Sequence, residues 1–196
     1  HGIDGVRYIW EYTYPKAYSE YVEQYSKKWG VPQELIWGIM RAESSFRRDA
    51  ISPVGALGLM QVMPSTGKRV SDLIGENNFE GRRLLEPEVA IKIGSRYLQR
   101  LMSKFDQNVA LSAAAYNAGP HRVRGWLASF GTLDVDEFIE HIPFLETRNY
   151  VKKVVSNYYI YSQLYFKKQQ GLAYLSEPLS LRFADPVPTK ETWDEI

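Results

Sequence analysis

The sequence predicts a mostly α-helical single domain, and three observations carry that expectation. Apolar residues recur at three- and four-residue spacing through most of the chain up to Gln170. Proline repeatedly stands where such a pattern begins, at Pro15, Pro32, Pro64, Pro87, Pro120 and Pro143, and glycine where it stops, at Gly30, Gly75, Gly119 and Gly171. The 196 residues include 44% hydrophobic side chains but no cysteine, so the domain must hold itself together by burying helix faces rather than by disulfides.

Taken in order, residues 1–14 have mixed polarity and two glycines, and read as an arm, either extended or a short helix, joining something upstream. From Pro15 to about Trp29, Tyr18, Val22, Tyr25 and Trp29 share one face. A second helix is expected over Pro32 to Phe46. The run from Arg47 to Gly55 breaks the pattern with Ser52-Pro53 and marks a turn that brings Leu59 to Met63 back beside Glu43. Gly55 and Gly58 either let backbone approach a neighbour closely or merely turn the chain. Pro64 opens a helix anchored by Val70, Leu73 and Ile74, and residues 76–86 read as a polar loop. A long helix is expected from Pro87 to about Phe105, then a short alanine-rich one over Asn108 to Tyr116. Further helices follow over His121 to Phe130, Asp134 to His141, and Pro143 to about Gln170, the last with a stripe of Tyr150, Val151, Val154, Tyr158, Tyr161, Leu164 and Tyr165. Residues 172–196 carry Pro178, Pro186 and Pro188 and read as an extended tail. Leu179, Leu181 and Phe183 alternate there with polar residues, as in a strap laid against the body.

One residue is out of place. At about 100° per residue, Ile36, Ile39, Met40 and Phe46 fall within about 60° of Glu43, while Arg41, Ala42, Ser44 and Ser45 point elsewhere. A glutamate inside an apolar stripe either finds a partner or keeps its proton, because an ionised carboxylate is costly to bury. Two readings stand on periodicity alone. The carboxyl is tied to an arginine or sits at the rim with its head in water, the commoner use. Or its pKa is raised from about 4.3 toward neutrality, which suits a general acid.

The residues that follow bear on that choice. Glu43-Ser44-Ser45-Phe46, then Ala50-Ile51-Ser52-Pro53-Val54-Gly55-Ala56-Leu57-Gly58-Leu59-Met60-Gln61-Val62-Met63-Pro64-Ser65-Thr66, closely resembles the signature of soluble lytic transglycosylases, lysozyme-like enzymes that cut bacterial peptidoglycan. Ala114-Ala115-Tyr116-Asn117-Ala118-Gly119-Pro120 and Glu146-Thr147-Arg148-Asn149-Tyr150-Val151 match the same family in the same order. Together the blocks run from Glu43 to Val151, more than half of the chain.

The resemblance implies a lysozyme-like helical fold, with a small β element, over residues 15–171, preceded by a remnant of an upstream region and followed by the tail. It implies a lyase that breaks the β-1,4 MurNAc–GlcNAc bond and leaves a 1,6-anhydro sugar, with Glu43 serving as acid and then base. Ser52, Gln61, Met63, Tyr116, Asn117 and Glu146 are the implied substrate-binding residues. Tyr116 would donate to Glu43 or to the sugar, Gln61 would both donate and accept, and Met63 is either an apolar wall or core. Glu146 lies in the first turn after Pro143, where it also serves the helix dipole, and is not taken as a second catalytic carboxylate. Two departures from the family's pattern stand out. Arg47-Arg48 replaces an Asn-Pro pair, and Gly67 stands where alanine is usual; the arginines bear on contacts with peptide stems or on entry to the cleft. The alternatives are a hydrolytic muramidase on the same scaffold and a peptidoglycan-binding domain without chemistry.

The bulk properties narrow the field. A net charge of +1 offers no field for nucleic acid, and the basic pairs are scattered among acids. His1, His121 and His141 have no metal-ligand spacing, so neither metal nor cofactor is expected. No apolar run approaches the roughly 20 residues of a membrane span. The 14 tyrosines and 5 tryptophans suit a sugar cleft but equally a packed core. The expected partner is a peptidoglycan glycan strand, met by a monomer exported to the periplasm or cell envelope. The start at His1-Gly2, without Met or signal peptide, reads as a processed or excised piece.

Overall fold

A computed structural model describes residues 3–166 and Leu179. Among the described residues nine α-helices follow one another: α1 (Ile3–Thr13), α2 (Ser19–Trp29), α3 (Gln33–Glu43), α4 (Pro64–Leu73), α5 (Pro87–Lys104), α6 (Val109–Ala118), α7 (Pro120–Phe130), α8 (Val135–His141) and α9 (Leu145–Tyr161). A π-turn, Ser162–Phe166, continues α9, and a 3₁₀ turn, Gly81–Leu85, precedes α5. The small β element consists of two isolated antiparallel bridges, Ile51 with Leu57 and Leu57 with Val62.

The prolines and glycines punctuate the helices as expected at Pro64, Pro87 and Pro120, each in the first turn, and at Gly30 and Gly119, each a C-terminal cap. Three boundaries differ. α2 starts at Ser19 rather than Pro15, because Tyr18 adopts a left-handed backbone (φ 55°) at the cap. α9 starts at Leu145, with Phe144 as an extended cap. α3 ends at Glu43 rather than Phe46. The arm before Pro15 is a short helix, α1, one of the two forms expected for it. The expected course to Gln170, the stop at Gly171 and most of the tail lie outside the described residues. Within the tail, Leu179 is buried and its N–H donates to the Leu133 carbonyl at 3.1 Å.

α3 is central rather than one-faced. Every residue from Glu34 to Met40 is buried, so the stripe inferred from periodicity understates how much of this helix is enclosed. α9 packs antiparallel along it, with the Asn157 Nδ2 donating to the Gly38 carbonyl at 3.2 Å and Lys153 Nζ to the Ala42 carbonyl at 2.9 Å. Beside the middle of α3, an aromatic cluster closes the core. Trp37 stacks on Tyr161 (centroids 5.7 Å), and their polar atoms donate to the Ala17 and Pro15 carbonyls. α1 is tied down by Arg41, whose Nη1 donates to the Thr13 carbonyl at 2.6 Å and whose guanidinium covers the Tyr14 ring. Pairing the polar atoms of Trp37, Tyr161 and Asn157 in this way avoids the cost of leaving them dry and unbonded.

Candidate active site

Glu43 is the last residue of α3, and the chain turns away directly after it. Ser44 caps the helix, its N–H donating to the Met40 carbonyl, and Ser45 and Phe46 both adopt left-handed backbone (φ 50° and 65°). Phe46 is therefore not on the helix face as the periodicity placed it. Ser44, expected to face outward, is buried, and its hydroxyl donates to the Leu59 carbonyl at 2.8 Å. That bond clamps the returning loop against the end of α3.

The loop over 47–62 is a run of tight turns stitched by its own backbone. Gly58 N–H donates to Ala50 O at 2.8 Å, Ser52 N–H to Ala56 O at 2.9 Å, and Leu57 and Val62 exchange both bonds. At Gly58 (φ 74°) a Cβ would lie 1.9 Å from the Leu84 carbonyl oxygen, so close approach demands glycine there; at Gly55 (φ 88°) the space is open and only the turn requires it. Gln61 occupies the left-handed region without being glycine (φ 46°), a conformation that non-glycine residues adopt only when the surroundings impose it. Both protons of its amide are spent on the Ala50 and Gly58 carbonyls, at 3.0 and 2.9 Å. The expected two-way amide is thus reduced to an acceptor, because the donor side holds the loop together.

Glu43, Arg47, Asp49, Ala50, Ile51, Ser52, Pro53 and Gln61 line one cleft of about 540 Å³. Ser52 Oγ accepts from the Ala56 N–H at 2.9 Å, which fixes the hydroxyl at the cleft wall. Met63 is 39% exposed at the start of α4 and is neither core nor part of this lining. Tyr116 does not donate to Glu43. Its hydroxyl donates to the Met60 carbonyl at 2.9 Å, pinning the loop from the α6 side, while its ring packs on Tyr97. Asn117 Oδ1 accepts from the Thr147 hydroxyl at 2.6 Å, so it joins α6 to α9. Glu146 is exposed in the first turn of α9, and its charge acts on Glu43.

The residue that sequence reasoning passed over is Tyr150. It stood in the expected α9 stripe and in the third family block, yet no role was attached to it. Its hydroxyl is buried without a well-aligned hydrogen bond, and it lies near enough to Glu43 to act on the carboxyl. Its position four residues after Glu146, on the same face of α9, was the available signal.

Burial pushes the Glu43 carboxyl up to about 7, against the smaller downward pulls of the Tyr150 hydroxyl and Lys153; Glu146 adds a small push upward. Among the described residues no arginine holds it. Tyr116 and Tyr150 are held well above the usual phenol range, first by burial and then by the Glu43 charge, so both remain protonated donors. One carboxyl that can give a proton near neutrality and take it back, open to a cleft and with two phenols near enough to feel its charge, is suited to acid–base chemistry. Among the described residues no group of three potential ligands stands ready for a metal ion.

Residues 20–139 match the family described as the transglycosylase SLT domain. The chain belongs to that family. Residues 141–170 of this SLT-family chain also match the soluble lytic transglycosylase helical domain. It is 39% identical over 174 residues to a soluble lytic murein transglycosylase of Salmonella typhimurium, covering 86% of this chain and 27% of the relative. With its namesake from Escherichia coli K12 it shares 41% over 153 residues, or 76% of this chain and 24% of that one. Among solved structures, an inactive mutant of the lytic transglycosylase Slt from Pseudomonas aeruginosa superposes with a TM-score of 0.76 at 42% identity, covering 81% of this chain and 26% of that one. The soluble lytic transglycosylase solved with bulgecin A gives a TM-score of 0.76 at 40% identity, covering 82% and 26%. This SLT domain thus has the fold of those lysozyme-like enzymes and spans about a quarter of the length of the curated relatives it matches.

Proposed function

We propose that this chain cleaves the β-1,4 bond between MurNAc and GlcNAc in peptidoglycan by transglycosylation, with Glu43 as its single acid–base group. The observation that carries the reading is the Glu43 carboxyl, uncharged up to about pH 7 through burial and open to a cleft. In the first step it gives its proton to the bridging oxygen as the bond to MurNAc C1 breaks. The resulting carboxylate then takes the proton of the C6 hydroxyl of the same sugar, and the C6 oxygen bonds to C1. A 1,6-anhydro sugar leaves, no water is consumed, and Glu43 has its proton again. A tethered hydroxyl has a high effective concentration, so a second carboxylate to activate water is not required.

In this reading Ser52 and the Gln61 carbonyl meet the sugar from the cleft wall, Tyr150 donates to the carboxylate formed midway, and Glu146 contacts substrate at the rim. Tyr116 and Asn117 hold the loop and α9 in place rather than touching the sugar, and Met63 extends the wall beyond the cleft. The catalytic module is residues 15–171, acting as a monomer at the cell envelope or in the periplasm. No helix of the described residues is long and apolar enough to cross a membrane.

The test is product analysis on purified sacculi. Wild type should release anhydro-muropeptides and Glu43→Gln, folded, should release none. Products one water heavier, with reducing ends, would overturn the intramolecular step in favour of hydrolysis. Full activity of Glu43→Gln would overturn the assignment of the acid.

A further inference from the structure

Two charged residues in the cleft have no role in the chemistry above. Arg47 and Asp49 are two residues apart and opposite in charge, and both line the cleft with Glu43, whereas Arg48 between them does not. They do not pair. The Arg47 side chain has one hydrogen bond among the described residues, from Nε to the Ser44 carbonyl at 3.3 Å, and the Asp49 side chain has none. The Nε contact turns the guanidinium back toward the end of α3 and leaves its terminal nitrogens open. The cleft wall therefore offers a fork of donors and, separately, an acceptor carboxylate, next to the exposed lip of Ile51 and Pro53.

Opposite charges held apart on one wall match a ligand that carries both charges, since each side then gains a charge-assisted hydrogen bond. Resting on the proposed peptidoglycan reading, we propose that Arg47 and Asp49 form a subsite for the zwitterionic amino-acid end of a stem peptide, Arg47 receiving its carboxylate and Asp49 its ammonium group. A stem hangs from MurNAc, one of the two sugars flanking the bond that Glu43 would break, and so is brought to the same cleft. Binding it there sets which strands are cut and adds nothing to the proton transfers.

Calorimetric titration of the full chain tests this with three soluble fragments. One is a disaccharide bearing a stem with a free diamino-acid end, one the same with its amine acetylated, and one the disaccharide stripped of its stem. Arg47→Ala should weaken the first fragment about tenfold and leave the stripped one unchanged. Asp49→Asn should weaken the first by a smaller factor and leave the other two unchanged. Both side chains are exposed, and circular dichroism checks that each variant folds. Equal weakening of all three fragments, no weakening of any, or the lack of measurable binding by wild type would overturn the subsite. Sacculus digestion reports separately on the reaction. Anhydro products without discrimination among fragments remove the subsite alone, and discrimination without products removes the proposed reaction alone.

Discussion

Replacing Glu43 by glutamine should make the protein more stable, and by an amount that depends on pH. The Glu43 carboxyl has its usual value of 4.5 when the chain is unfolded and about 7 when folded. Between those values the folded chain holds a proton that the unfolded chain has released, so stability falls as pH rises. The contribution is fully present below about pH 4.5 and is lost as pH rises through about 7. A gap of about 2.5 units corresponds to roughly 3 kcal/mol, an upper figure because the site relaxes and admits water on ionisation. Glu43→Gln keeps the shape and the neutral state of the protonated acid but cannot ionise. Its unfolding free energy relative to wild type should be near zero at pH 4.5, grow through pH 5 to 7, and level off at up to about 3 kcal/mol by pH 8. Urea titrations of both proteins at matched pH values measure that difference directly, with the slopes checked for equality. A difference that stays flat with pH, or one in which wild type gains on the variant as pH rises, would refute the raised carboxyl and with it the acid–base role.

Three further perturbations probe the surroundings of the acid. Tyr150→Phe removes a hydroxyl that pulls the Glu43 carboxyl down and has no other well-aligned partner, so stability should change by less than about 1 kcal/mol. The alkaline limb of the pH–activity profile should move upward. Ser44→Ala leaves the buried Leu59 carbonyl without that donor and should cost about 1–3 kcal/mol in chemical denaturation, with activity reduced as the loop loosens. Gly58→Ala sets a Cβ against the Leu84 carbonyl in left-handed backbone, and thermal melting should show a loss of more than about 3 kcal/mol or failure to fold.

The amino-acid sequence by itself determined the helical class, most helix boundaries and the place of a glutamate, Glu43, among apolar neighbours. Those features are local: proline and glycine act on their own backbone, and a three-residue turn register is visible in a string. The turn over Arg47 to Gly55 was legible too, but whether Gly58 served a turn or a close approach stayed open until the fold set the Leu84 carbonyl against it. What Tyr116 and Asn117 do was not legible. Both stand in a family block, but their hydrogen bonds run to Met60 and Thr147, and only the packing of α6 against the loop and α9 decides that. Likewise α3 seemed to have an outer face until α9 and its neighbours enclosed it, burying Ser44 with the rest. The state of the Glu43 carboxyl belongs to the same class. Its proton affinity depends on how much water remains and on which charges stand nearby, and Tyr150 and Lys153 reach it from more than a hundred residues away in the chain. Sequence spacing cannot encode such distances, because only the folded chain sets them.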